Sequence, residues 1–501
     1  MTKAHSFHIP VMGIGFTIDT PLKVAPYGID SVISLVDDML FEKLRKMYSE
    51  KFELPYHEIS EKIEDFRAKR ITAYLNLISS QTEKKFENLK NSAAEISQEL
   101  HDYFEMLPDS STIKEEFKRL KEKYLNIDEL KSWINNNVKM GSIDVNIMTK
   151  LDKVNYKNGK PLDHEYNDAH AALRGYANSD LNSSIVFSAG MNPRLYSYIE
   201  QFTDFYPNEN GDIKKKIILK VSDYRSALIQ GKFLAKKGLW VSEYRIESGL
   251  NCGGHAFATD GFLMGPILAE FRDKREELIQ TTYEILVDSL STKNYTIPKV
   301  TLPLLITAQG GVGTAEEHQF LLEHYQMDAV GWGTPFLLVP EATNVDEFTL
   351  HKLIDAKEED LYLSNISPLG VPFNSLRGNS KDAEKLSFIE KGKPGSSCPK
   401  KYLVSNTEFT DKAICSASSK YQKLKLNELD SLEISEVEKI KKFDQIVDKS
   451  CICVGLGTSV LLNYNISTKI EGNGVSICPG PNMAYFSRKL SLKEMVNHIY
   501  G

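Results

Sequence analysis

No stretch of this sequence is long and apolar enough to cross a bilayer. The run at 31–41 is interrupted by Asp37 and Asp38 and falls short of the roughly 20 apolar residues a helical span needs. The opening segment MTKAHSFHIPVMGIGF lacks a signal-peptide core with a cleavage site, so a cytoplasmic location is expected. Excess positive charge is also missing. The net charge of -7 argues against a general nucleic-acid binder. There is no solenoid-like repeat, no low-complexity tail, and no Cys-x2-Cys knuckle among the six cysteines. What is present, 41% hydrophobic and 26% charged residues, is the balance of an ordinary globular protein.

The chain has 501 residues, long for one domain, although a (β/α)8 barrel of about 250 residues counts as one. Eight strand-like runs stand at 8–16, 31–36, 143–148, 184–189, 216–221, 239–245, 303–308 and 329–332. Most are short apolar runs bounded by turn residues, as strands buried on both faces require. Helical patterns follow several of them, at 223–237 and 315–325 for example. Repeated β-then-α units imply a parallel sheet, and eight imply closure. The expected fold is α/β: a TIM barrel from 1–38 and 138–379, a helical insertion at 39–137 after the second strand, and a Cys-containing C-terminal extension at 380–501.

The insertion carries Ile59, Ile63, Phe66, Ile71, Tyr74 and Leu77 at helical spacing, with breaks at Pro55 and Pro108–Ser111. It reads as a packing or oligomerisation element, or as a lid, since it leaves the barrel after a strand. The extension holds the loop 391–397 and an acidic helical pattern at 427–448.

The chemistry is expected where strands end in glycine. Thr307-Ala308-Gln309-Gly310-Gly311-Val312-Gly313-Thr314 is a strand, a glycine turn and a helix start; Val330-Gly331-Trp332-Gly333-Thr334 ends the next strand. Glycines admit a ligand close to the backbone, and free N–H groups at a helix start attract an anion. In barrels the loops after strands seven and eight often form a phosphate site. After the sixth strand comes Glu247-Ser248-Gly249-Leu250-Asn251-Cys252-Gly253-Gly254-His255. It sets an imidazole suited to acid–base work at the catalytic end. Cys252 reads as a small packed residue rather than a reactive thiol.

The order Gly253-Gly254-His255, Gly310-Gly311, Gly333-Thr334-Pro335-Phe336-Leu337 and Pro340-Glu341-Ala342 resembles the nitronate monooxygenase (2-nitropropane dioxygenase-like) family, which includes FMN-dependent enoyl reductases. Residues 368–379 are similar to its post-barrel segment, and Asp144-Val145-Asn146-Ile147 to its third strand. The first strand, Pro10-Val11-Met12-Gly13-Ile14-Gly15, departs from the family's Gln-Gly-Pro-Met pattern, though Gly13 still permits close flavin approach. The resemblance implies an FMN oxidoreductase. Gly310, Gly311, Gly333 and Thr334 would hold the phosphate, Asn146 and Lys220 would face the flavin ring, and Gly253 and Gly254 would present His255 as acid or base. The substrate would be a small molecule, either an enoyl thioester or a nitronate-like anion. A homo-oligomer and an electron-transfer partner are compatible with this reading.

Cys398, Cys415, Cys451, Cys453 and Cys478 crowd the last fifth of the chain. Thiolates suit an iron–sulfur cluster or zinc, and Pro follows both Cys398 and Cys478. Unliganded thiols are the third reading. Two other functional classes stay open: a non-flavin barrel isomerase or lyase for a phosphorylated ligand, and a catalytically silent scaffold.

Overall fold

The eight runs form eight parallel strands: β1 (Phe7–Ile9), β2 (Asp30–Ser34), β3 (Ile143–Met148), β4 (Ser183–Ser188), β5 (Lys215–Val221), β6 (Val241–Glu247), β7 (Leu305–Gln309) and β8 (Ala329–Gly331). Each pairs with the next, and β8 returns to β1, closing a barrel. A computed structural model describes residues 3–91, 97–122, 127–188, 190–247, 252–256 and 264–501. Ala189, expected at the end of the fourth strand, and Ser248 to Asn251 of the glycine–histidine motif lie outside them.

The first strand is shorter than 8–16. Pro10 offers no N–H to continue a ladder. The chain then turns through Gly13 at φ 53, a left-handed conformation that glycine adopts without strain. Residues 10–16 therefore become the loop over the strand's C-terminal end.

The insertion begins as expected. Asp37 caps the helix Asp38–Lys51 by accepting from Leu40 N at 2.9 Å, and the helix stops ahead of Pro55. The next helix, Phe66–Asn91, starts later than the apolar spacing suggests. Ile59 and Ile63 precede it in irregular chain, where Ile59 N–H donates to Glu42 and its carbonyl accepts from Arg70. Tertiary polar partners thus override a local pattern. Phe66–Asn91 packs across the barrel helix Asp168–Ala177. A methyl on Gly175 would lie 2.8 Å from Ile71, so this helix pair needs glycine there.

Beyond it, Phe86, Leu100, Phe104, Phe117 and Ile134 build a separate small core that takes in Ala4, Tyr27 and Met140. Those last three stand just before β1, β2 and β3. The insertion therefore closes the N-terminal end of the barrel.

The acidic pattern at 427–448 is two helices, Ser419–Asp430 and Glu436–Val447. The helix Ile452–Asn463 is buried along nearly its whole length. Its Leu456 carbonyl accepts from Ile14 N (3.3 Å) and Gly15 N (2.9 Å). Gly15 and Gly457 allow this approach: a Cβ on Gly15 would sit 3.1 Å from the Gly457 Cα. The fully buried Lys400 pairs with Asp37, and the Tyr402 hydroxyl donates to Asp37 at 2.9 Å. These contacts fasten the C-terminal segment to the loops after β1 and β2. No single helix among the described residues is long and apolar enough to cross a membrane.

Candidate active site

The C-terminal strand ends surround a cleft of about 1430 Å³, counting its open mouth. Gly13, Asn146, Lys220, Gly253, Gly254, His255, Gly310, Gly311, Gly333 and Thr334 all line it. Among the described residues, none from 39–137 does. The outer part of the insertion, Phe86 to Ile134, stands at the opposite end, and its first helices flank the loop after β2 without reaching the cleft, which leaves the lid reading without support in the geometry.

Lys220 is next to last in β5, Glu247 ends β6 and Gln309 ends β7, so adjacent strands deliver three polar groups side by side. Lys220 Nζ pairs with Glu247 at 2.6 Å, and Gln309 Nε2 donates to the same carboxylate at 2.8 Å. Glu247 and Gln309 were within the sequence motifs but were not singled out; their place at neighbouring strand ends was the available signal.

His255 is held from outside the barrel. Past β8 the chain forms a hairpin of β9 (Leu361–Ser364) and β10 (Phe373–Leu376). Asn374 N donates to the Gly254 carbonyl at 2.9 Å, and Asn374 Nδ2 to the Cys252 carbonyl at 2.9 Å. The ring of His255 sits edge-on to Phe373, with Nε2 2.8 Å from Ser367 Oγ. Burial pushes the imidazole down from 6.5 to about 4, so it is neutral at pH 7. Burial raises the Cys252 thiol well above its ordinary value, and Cys252 donates to the Gln309 carbonyl at 3.3 Å. It is a packed thiol, not a thiolate.

The glycine loops follow the expectation in part. Gly310 (φ 98) and Gly311 (φ 81) adopt left-handed backbone at the cleft. The start of helix Ala315–Glu323, however, is already occupied. Thr314 and Glu317 form a capping box, and the Glu317 carboxylate accepts from Gly313 N (2.7 Å) and Thr314 N (3.2 Å). An internal anion fills the place expected for a ligand's anion. Any phosphate must therefore be met at Gly310–Gly311 and Gly333–Thr334. Thr334 Oγ1 also accepts from Gly480 N at 2.9 Å.

The C-terminal segment supplies a wall that sequence reasoning missed: Leu403, Ile452, Cys453, Leu456, Cys478 and Asn482. The five clustered cysteines separate into two places. Cys398, Cys415, Cys451 and Cys453 lie together, whereas Cys478 lies against the backbone N–H groups of Gly13 and Gly254. This junction is tight. A methyl on Gly253 would fall 2.1 Å from the Cys478 carbonyl oxygen. Gly253→Ala is expected to cost about 3 kcal/mol through overpacking. A lowered urea midpoint together with weaker ligand retention in the cleft would show it; an unchanged midpoint would refute the tight fit.

Two buried side-chain acceptors of cleft-lining residues, Asn146 Oδ1 and Asn482 Oδ1, have no partner among the described residues, whereas the Gln309 side chain reaches both His8 and Glu247. Orphaned buried acceptors cost stability unless a ligand or water satisfies them.

No family model and no curated protein matches the chain. Solved structures do. FabK from Thermotoga maritima is similar at 11% identity and TM-score 0.39, over 99% of this chain and 91% of that one. The enoyl reductase domain of MlnA from Bacillus amyloliquefaciens is similar at 14% identity and TM-score 0.38, over 75% and 86%. A nitroalkane oxidase from Streptomyces ansochromogenes is similar at 11% identity and TM-score 0.39, over 98% and 94%. Activity and substrate are left to this chain's own residues.

Proposed function

We propose that the chain is an FMN-dependent oxidoreductase whose cofactor lies in the cleft at the strand ends. The observation that carries this reading is convergence. Ten residues singled out for flavin and substrate, scattered from Gly13 to Thr334, line one space. The unpartnered acceptors of Asn146 and Asn482 would suit the polar edge of an isoalloxazine ring, which carries an N–H group. Gly310, Gly311, Gly333 and Thr334 would meet the phosphate. FMN would supply the hydride or electron transfer; the protein supplies position and charge.

Lys220 would bring positive charge to the ring, tempered by Glu247 beside it. His255, neutral at pH 7, would accept a proton from the substrate or hold it by a hydrogen bond. Ser367 fixes the ring's orientation. The apolar wall of Ile452 and Leu456 would keep water from the reacting face.

The deciding experiment is an absorption spectrum of protein purified without oxygen, followed by acid release of the cofactor. One FMN per chain is expected. A colourless protein that also fails to bind added FMN would sink the reading and favour a non-flavin phosphorylated ligand at the same loops. With flavin present, anaerobic reduction by NADH or NADPH would indicate an enoyl thioester as substrate. Rapid turnover by oxygen with a nitronate would indicate the alternative.

A further inference from the structure

Behind the wall of the cleft, three separate segments bring four thiols together. Cys398 lies in a loop, in a left-handed turn (φ 51). Cys415 stands just before the helix Ser419–Asp430. Cys451 caps the helix Ile452–Asn463, and Cys453 is in its first turn. All four are buried. Cys451 and Cys453 have their sulfurs 3.9 Å apart, and Cys398 and Cys415 form a hydrogen-bonded pair. Cys453 feels the charge of both members of the other pair. We propose that Cys398, Cys415, Cys451 and Cys453 are the four ligands of an iron–sulfur cluster, and that Cys478 is not.

Three features select this guest. The first is sulfur spacing. Zinc, at about 2.3 Å from each thiolate, draws four sulfurs to within about 4 Å of one another. Here no three of these sulfurs lie within 4.8 Å of each other among the described residues. That spacing suits a cluster of several iron and sulfide atoms better than a single ion. The second is the ring of donors. Backbone N–H groups reach three of the sulfurs: Lys401 to Cys398, Ala417 to Cys415 and Val454 to Cys451. Hydrogen bonds to sulfur stabilise the anionic charge of a ligated cluster. The third is placement. Cys453 belongs both to the thiol group and to the wall of the cleft, and the ammonium of the buried Lys400 lies close enough to interact with it. A groove lined by Ser396, Ser397, Pro399, Ala417 and Cys451 opens on the far side and provides an entry path for iron.

The test uses the full chain, purified anaerobically and, in parallel, reconstituted with ferrous iron and sulfide. Iron and acid-labile sulfide are expected in equal amounts, two or four of each per chain, with a dithionite-generated electron paramagnetic resonance signal. Cys398→Ser and Cys415→Ser are expected to lose the iron and the signal; Cys478→Ser is expected to keep both. Retained far-ultraviolet circular dichroism separates loss of cluster from loss of fold. If the variants do not fold, the iron, sulfide and resonance of the unaltered protein decide. One zinc per chain without sulfide would overturn the proposal. So would four thiols that alkylate freely and take up no iron on reconstitution. Flavin is measured separately by acid release: iron and sulfide without flavin would sink the FMN reading and leave the cluster standing.

Discussion

Acidifying the protein from pH 6.5 to 4 is expected to remove about 6 kcal/mol or more of its stability. His5 and His318 are buried, and burial holds each imidazole at about 4 instead of 6.5. His8 is pushed down further, by burial first and then by the Arg245 charge. Each folded value lies below the unfolded one, so the unfolded chain binds more protons in this interval and stability falls as pH falls. The contribution is fully present above pH 6.5 and disappears as pH drops toward 4. For His5 and His318 it amounts to about 3 kcal/mol apiece.

The geometry explains why these rings resist protonation. The Trp332 indole N–H donates to His318 Nδ1 at 3.1 Å, leaving the ring proton on Nε2, 2.9 Å from Ser6 Oγ. A second proton would set two N–H groups against each other. Carboxylates enter only at the acid end: Glu243, held at about 2 against its burial by Arg245, Lys3 and His8, adds its own loss below pH 4.5, while Asp144, raised by burial, works in the opposite sense. Urea midpoints at pH 7, 5.5 and 4.5 would measure the slope. His318→Asn should flatten it; a midpoint independent of pH would show that these histidines titrate normally.

His255→Ala is expected to lower kcat by about 100-fold or more while FMN stays bound, the usual scale for losing a positioned acid–base group. FMN content should hold, because the phosphate and ring contacts proposed for it lie on other strands. The wild-type rate should be level through neutrality and fall only as pH approaches 4, where the imidazole gains its proton. That profile must be read above the pH at which the fold itself weakens. Ser367→Ala should give a smaller loss, of about 10-fold, by freeing the ring to turn. A full rate in His255→Ala would remove this residue from the chemistry.

The barrel was legible in the sequence because a parallel strand buried on both faces must be a short apolar run, and each run stood between turn residues. β1 was overextended because Val11 and Ile14 are apolar, although Pro10 had already ended the ladder. Gly310 and Gly311 were legible as backbone that must approach something. The anion at the following helix start was misjudged although the sequence carried the correction: Thr314 with Glu317 three residues on is the signature of a capping box. The C-terminal wall was not legible. Ile452 and Leu456 are ordinary apolar residues, and nothing local says which end of a barrel they cover. The nearest hint was Gly455 with Gly457, small residues in an apolar helix that allow close packing. Five cysteines likewise counted as one group until the fold carried Cys478 to a different wall.

Tyr500 bonds back to the start of the chain: its hydroxyl is 3.0 Å from His5 Nδ1 and accepts from Ser6 N at 3.2 Å. These contacts join residues nearly 500 positions apart, among the slowest kind to form. On a ribosome, all eight strands emerge long before Ile452, Asn482 and Tyr500 do. A nascent barrel can close its hydrogen-bond ladder and still lack one side of its working cavity. One wall of the cleft thus follows the scaffold by the time needed to translate the roughly 150 residues between Gly331 and Asn482.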